Sequence, residues 1–228
     1  MSYSPSSPIP SDFDEWLDRS VQANGLDLLF RLPDSVAPLV FFDPQYRGVL
    51  DHLKYGHEGR RQRERVVLDQ MTDEDIRVFL GQIVRILAEH GHLMLWLDKY
   101  HLTEGIAPWI DGLRLKIVDL ITWDKGRFGM GYRTRRQCEY LAVIQKMPTR
   151  AKDVWRLHDI PDVWQEKLTP GAQAHAHAKP IGLQSKLIEA TTAPGAIVVD
   201  PAAGSFSVMA AAHMAGRRFL GCDLRVPA

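Results

Sequence analysis

Asp43, Pro44 and Tyr46 are the residues whose types and spacing best suit chemistry. Leu39-Val40-Phe41-Phe42 is an unbroken apolar run of the kind that fills a buried parallel strand, and it ends in that acid, that proline and that ring. Ligands of open α/β sheets bind just beyond the carboxyl ends of the strands. A turn of Asp43-Pro44-Gln45-Tyr46 there would offer a carboxylate, a carbonyl and a flat ring to one crevice, which suits a planar substrate carrying an amino group. The same residues also read as a turn that only stops the sheet, because proline cannot continue a ladder and aspartate caps local backbone. Partners further along the chain weigh against that plainer reading.

The second group is Asp200, Pro201, Ala202, Gly204, Ser205, Phe206 and Ser207. It follows the apolar strand Ala196-Ile197-Val198-Val199 and leads into an alanine-rich helix ending near Ala215. A buried strand, a tight turn with a glycine and a helix of small residues is the start of a nucleoside-binding unit, since the helix N-terminus presents free N–H groups. Asp223, at the end of the next strand, is placed to accept ribose hydroxyls. A dinucleotide would normally need three glycines in the turn, and only Gly204 is present. An adenosyl ligand without phosphates therefore fits better, with Asp200 available to a cationic amino-acid end; the remaining alternative is an α/β turn that binds nothing.

Two polar stretches carry concentrated positive charge. Arg47 to Arg65 holds six basic residues against three acidic ones, and Lys125 to Arg136 holds five and none, with Phe128, Tyr132 and glycines interleaved. Backbone-tracking loops that contact nucleic acid are built this way. Arg47, Lys54, Arg60, Arg61 and Arg63 in the first stretch, and Arg133, Arg135 and Arg136 in the second, are the candidates for nucleic-acid contact. A solvated loop face is the plainer alternative for either stretch.

With the Asp43 and Asp200 groups both in view, the chain resembles the amino-group DNA methyltransferases that use S-adenosylmethionine. More narrowly it resembles their permuted (beta) type, in which the target-amine motif precedes the cofactor motif. His175-Ala176-His177-Ala178-Lys179-Pro180 matches that family's His-x-x-x-Lys-Pro segment just ahead of the cofactor strand. The resemblance implies that Asp43 and the Pro44 carbonyl accept hydrogen bonds from the target amine while Tyr46 stacks on an extruded base. It also implies that Lys179, Pro180 and His175 join residues 200 to 207 around the cofactor and that Asp223 holds its ribose. Three residues depart from the family pattern: Gln45 replaces a second proline, Ala202 a phenylalanine and Phe206 a glycine. Asp at the first motif position resembles the adenine-N6 members more than the cytosine-N4 members. Cytosine stays open as the alternative target. A nucleic-acid-binding protein with a decayed active site and a nicotinamide-dependent dehydrogenase are the rivals from other classes.

The elements that must position these residues are legible in outline. At 228 residues and 45% hydrophobic content the chain is large enough for a sizeable core. Lys+Arg 28 against Asp+Glu 28 leaves attraction to a polyanion to local clusters. Cys138 and Cys222 have no zinc spacing, so the expectation is no metal and two reduced thiols in a cytoplasmic protein without a membrane segment. Residues 1–12 are predicted to be a Ser/Pro-rich tail, and 13–228 a single catalytic domain with basic insertions near 47–70 and 125–136. Within it the pattern predicts a weak helix from Phe13 to Val21 and a turn at Asn24-Gly25 entering a short strand or helix. A strong amphipathic helix from Thr72 to His90, stopped by Gly91, precedes a strand from His92 to Leu97. A helix from His101 to Leu113, broken near Pro108, then leads to strands at Leu115 to Trp123 and Tyr140 to Gln145, and Leu183 to Ala190 is a short helix. The implied fold is a Rossmann-like three-layer α/β sandwich: a mostly parallel seven-stranded methyltransferase sheet with an antiparallel edge hairpin, in permuted order. Met147 to Ala174 is too short for an independent recognition domain, so the target sequence is expected to be short or relaxed, or its readout shared with the Arg47 loop and a second subunit of a homodimer.

Overall fold

The computed structural model describes residues 10–45, 70–129, 133–168 and 178–225. Among the described residues eight strands form one sheet: β1 (Val21–Gln22), β2 (Ala37–Phe42), β3 (Leu87–Leu97), β4 (Leu115–Asp124), β5 (Cys138–Lys146), β6 (Val163–Gln165), β7 (Ile197–Asp200) and β8 (Arg218–Asp223). Their spatial order is β1-β8-β7-β2-β3-β5-β4-β6. All neighbouring pairs are parallel except those that β5 makes with β3 and β4. The mostly parallel sheet and the antiparallel hairpin are as the sequence implied. The sheet has one strand more than the seven implied, and its two shortest, β1 and β6 at two and three residues, show no period of their own in the sequence. β6 also lies outside the β4–β5 hairpin, which is therefore one strand in from the edge.

Side-chain alternation builds a core on each face. Val40 and Phe42 of β2, Leu93 and Leu95 of β3 and Ile144 of β5 point to one side, against α1 (Gly25–Arg31) and α2 (Asp73–Ile86). Leu39, Phe41, Met94, Trp96, Leu141 and Val143 point to the other, against α5 (Ile181–Thr191) and α6 (Ser207–Met214). Burial on both faces explains why β2 is apolar throughout rather than alternating.

Local sequence sets the helix ends. Thr72 closes a capping box with Asp75 at the start of α2, its side chain accepting from the Asp75 N–H at 3.2 Å and the Asp75 carboxylate accepting from the Thr72 N–H at 2.7 Å. Ile76, Phe79, Leu80 and Ile83 are its buried face, and Phe79 stacks on Phe42 at 5.1 Å. The helix stops at Ile86, four residues before the predicted end, and Gly91 lies inside β3. Between Ala37↔Leu87 and Leu39↔His92, β3 advances five residues while β2 advances two, which is a bulge. A Cβ on Gly91 would come within 2.9 Å of the Ala88 carbonyl oxygen and 3.1 Å of that of Pro38, so the glycine permits the bulge rather than ending the helix.

Of the strand and the helix that the turn at Asn24-Gly25 could enter, the helix forms, with Asn24 capping it by accepting from the Leu26 N–H at 2.9 Å. Two further differences are local. The predicted helix over Phe13 to Val21 is a 3-10 turn at Ser11–Phe13 followed by irregular turns, with Phe13 fully buried. The helical run near Pro108 divides into α3 (Lys99–Glu104) and α4 (Ala107–Ile110), with the proline in the first turn of the second.

Arg85 joins α2 to the end of α1. Its guanidinium donates to the Leu29 carbonyl at 2.6 Å, the Leu32 carbonyl at 2.8 Å and the Asp34 carboxylate at 2.7 Å, satisfying orphan carbonyls at a helix C-terminus. Arg85→Ala is expected to lower stability by about 2 kcal/mol, the loss of charge-assisted bonds to partly buried acceptors. Urea denaturation checks this; an unchanged midpoint would show that water replaces the guanidinium.

Candidate active site

The carboxyl ends of β2, β7 and β8 lie side by side because these strands are adjacent and parallel. Leu39 pairs with Val198 and Val40 with Val199, which brings Asp43, just past β2, to the same edge as Asp200 at the end of β7. Asp200 in turn pairs with Gly221, and a Cβ at 221 would come within 2.4 Å of the Asp200 carbonyl oxygen, so the strands close tightly only around a glycine. The two loops, remote in the chain, therefore open on one end of the sheet.

An ion-pair ladder crosses that end. Lys179 Nζ lies 2.8 Å from Asp43 Oδ2 and 3.0 Å from Glu139 Oε2. The other oxygen of Glu139 is bonded by Lys125. Indole rings floor both ammonium groups, with Trp96 5.1 Å from Lys179 Nζ and Trp123 5.1 Å from Lys125 Nζ. Burial raises the Asp43 carboxyl, and the Lys179 ammonium pulls it back. Burial likewise disfavours charge on Glu139, but Lys179 and Lys125 outweigh it and hold this carboxyl down at about 2. Lys179 is held charged against its own desolvation by the two carboxylates. Among the described residues only Lys179 bonds the Asp43 carboxylate, and it does so through Oδ2; Oδ1 remains for a ligand.

Two carboxylates hold the turn after β7. Asp200 Oδ1 accepts from the Ala202 N–H at 3.1 Å, and Asp223 Oδ2 from the Gly204 N–H at 2.8 Å. Gly204 has φ +51° and no atom within 4 Å of a built Cβ, which leaves open space over the turn. Phe206 has φ +56°, the left-handed region that glycine adopts freely. Its ring turns into the core, 6.1 Å from Phe219, and away from the opening. This accounts for the sequence departure: burial of a phenylalanine offsets a backbone cost of about 1–2 kcal/mol. Phe206 is thus a core residue bordering the turn rather than a side chain lining it, and buried Ser207 begins α6. Pro201 supports the turn from beneath, where a Cβ on Gly25 would come within 2.0 Å of the Pro201 carbonyl oxygen. Ser205 and Ala202 are half-exposed at the opening.

The fit of a cationic cofactor rests on charge. Burial pushes the Asp200 carboxyl well up, and the neighbouring Asp43 and Asp223 push it further. Among the described residues no cation is in contact with Asp200. Lys179 and Lys125 balance Asp43 and Glu139, which leaves Asp200 and Asp223 without an ion-pair partner among the described residues and suits a ligand that brings positive charge of its own.

Pro44 is buried beside Asp43, and Lys179 and Pro180 precede α5. Arg133 and Arg135 are exposed and Arg136 half-buried in the β4–β5 connection, which leaves the sheet at the same end as Asp43. Lys125, counted in the sequence with that basic cluster, instead points into the ladder. Tyr46, Arg47, Lys54, Arg60, Arg61, Arg63 and His175 lie outside the described residues.

Sequence reasoning missed Glu139, Lys125, Gly25 and Glu166. Pro180, the N-cap of α5, has no side-chain hydrogen bond to offer, and Glu166 takes over from the preceding irregular segment. Its carboxylate accepts from the Gly182 and Leu183 N–H groups, each at 3.0 Å, and from Trp164 Nε1 at 2.7 Å. The helix that carries Lys179 at its head is thereby tied to β6.

Residues 38–226 match the family of DNA methylases acting at N6 or N4. The chain belongs to that family. This methylase is 50% identical over 215 residues to the type II methyltransferase M.HhaII of Haemophilus parahaemolyticus, covering 93% of each chain. It is 26% identical over 212 residues to the putative methylase YubD of Escherichia coli K12, covering 91% of this chain and 85% of that one. Its fold is similar to that of the cytosine-N4-specific PvuII DNA methyltransferase, with TM-score 0.70 at 16% identity over 90% of this chain and 81% of that one. It is also similar to M1.HpyAVI, solved as a complex with SAM, with TM-score 0.62 at 15% identity over 91% and 93% of the two chains. As a family member the chain is a DNA methyltransferase whose methyl donor is S-adenosylmethionine.

Glu166→Ala is expected to lower stability by about 2 kcal/mol and to weaken S-adenosylmethionine binding several-fold, because it frees the head of α5. Thermal melts and calorimetric titration read the two effects. Unchanged affinity in a folded variant would separate the cap from the cofactor site.

Proposed function

We propose that this methylase transfers the methyl group to the exocyclic N6 amine of adenine in DNA. The observation that carries the reading is Asp43 at the shared end of β2 and β7, with Oδ2 taken by Lys179 and Oδ1 open. An exocyclic amine is a poor nucleophile because its lone pair is delocalised into the ring. Asp43 Oδ1 and the Pro44 carbonyl would each accept one amine hydrogen, concentrating the lone pair on nitrogen and providing an acceptor for the proton released. Bound S-adenosylmethionine supplies the electrophilic methyl. Lys179, Pro180, Asp200 to Ser205 and Asp223 would hold it, with Asp200 and Asp223 facing its charged and ribose ends and the backbone of Phe206 and Ser207 closing the turn. His175 would complete this pocket. Tyr46 would stack on the base, which must leave the duplex to be reached, at a cost of a few kcal/mol.

Arg133, Arg135 and Arg136, with Arg47, Lys54, Arg60, Arg61 and Arg63, would contact phosphates at that end of the sheet. The protein would work in the cytoplasm as one catalytic domain over 13–228, its recognition segment lying near 147–174 and a homodimer sharing readout. Among the described residues no helix is long and apolar enough to cross a membrane. Cytosine N4 is the alternative target, favoured by the likeness to the PvuII enzyme.

Asp43→Ala is expected to reduce methyl transfer at least ~100-fold while leaving S-adenosylmethionine affinity within about threefold of the parent. Nucleoside mass spectrometry of DNA methylated by the parent should show N6-methyladenine. Full activity in the variant would remove Asp43 from the mechanism, and N4-methylcytosine in the product would replace adenine as the target. DNA affinity should fall steeply with salt, and loss of Arg133 and Arg135 should flatten that slope by about one unit per phosphate contact removed.

A further inference from the structure

We infer that Glu139 is a positioning residue for methyl transfer: it shares the Lys179 ammonium with Asp43, so that Lys179 holds Oδ2 alone and leaves Oδ1 free for the target amine. The inference rests on the role given to Asp43 above. It goes beyond that reading because Glu139 belongs to neither of the motifs around Asp43 and Asp200 and lies in the strand that runs against all its neighbours.

The geometry is specific. An ammonium has three hydrogens to donate. One is directed at Asp43 Oδ2, 2.8 Å away, and a second at Glu139 Oε2, 3.0 Å away. The side chain of Lys179 is 12% exposed, so water contributes little to satisfying it. Glu139 cannot swing away, because Lys125 holds its other oxygen and the Trp123 ring lies beneath Lys125. Without Glu139, the buried ammonium would have Asp43 as its sole carboxylate partner among the described residues. It would then be drawn across both carboxylate oxygens, competing with the amine for the acceptor on which the reaction depends. The four charges Asp43, Lys179, Glu139 and Lys125 alternate in sign and sum to zero, which limits the desolvation cost of the array.

The electrostatic consequence has a sign. The charged groups that act on Asp43 are Lys179 ahead of α5, Glu139 on β5 and Lys125 at the end of β4. Asp200 at the end of β7 couples to Asp43, and Asp223 acts on Asp200 in turn. Glu139 raises the proton affinity of Asp43 and Lys125 lowers it. Removing the first charge should therefore move the acid limb of kcat/KM to lower pH, and removing the second should move it to higher pH.

The test compares Glu139→Gln, Glu139→Asp and Lys125→Gln with the parent and with Asp43→Ala, in full-length protein with DNA and S-adenosylmethionine. Glu139→Gln is expected to lower kcat about tenfold with KM for both substrates within about twofold, and to shift the acid limb downward. Glu139→Asp, which restores the charge, should return the limb towards its parental position. Lys125→Gln should lower kcat about threefold and shift the limb upward, giving a second reading should the glutamine variant fail to fold. Limbs that stay fixed, or that move the same way in both charge-removing variants, would overturn the inference, as would a parental kcat in Glu139→Gln. If instead Asp43→Ala keeps its activity, the reading of Asp43 fails first and Glu139 has nothing to position.

Discussion

A single buried ammonium organises this molecule. Lys179 sits between the carboxylates of Asp43 and Glu139, and those three residues come from the loop after β2, the segment ahead of α5 and the reversed strand β5. Burying such a charge is costly unless carboxylates surround it, and a buried pair is rarely retained for stability alone. The cluster instead fixes where a carboxylate stands and which of its oxygens is open. Trp96 and Trp123 keep solvent from beneath and add favourable ring contacts.

The sheet makes that cluster possible. β2, β7 and β8 are parallel neighbours, so the loops that follow them must emerge at one end, and the antiparallel β5 brings Glu139 at its start to that same end. Glycines at 25 and 221 allow the backbone to close around the Asp200 loop, and Phe206 accepts a left-handed conformation for the sake of its packing on Phe219. Glu166 anchors the head of α5, and with it the approach of Lys179. Positioning here comes from the core outward, through residues with no chemistry of their own.

What the sequence made legible was local. Asp43, Asp200 and Asp223 each end an apolar strand, and that juxtaposition survives in any reading of the pattern. The two faces of the sheet follow from alternation in β3 and β5, and α2 from its capping box and apolar stripe. Gly91 misled because a glycine after an amphipathic run signals equally a helix stop or a strand bulge, and only pairing with β2 decides. Glu139 and Glu166 were hidden because their partners lie 40 and 16 residues away, and no local spacing records such a contact. Lys125 was hidden by its neighbours: in a run of arginines, the one cation turned inward looks like the rest.

If Asp43 and the turn at Gly204 serve one opening, a methyl group must cross between them to reach the base. A crystal structure with S-adenosylmethionine bound decides this. The donor methyl should face Asp43 Oδ1 across a gap that a flipped amine can fill, with reacting atoms about 3–3.5 Å apart once the base is docked. A donor bound with its methyl turned away from Asp43, or seated on another side of the sheet, would contradict it.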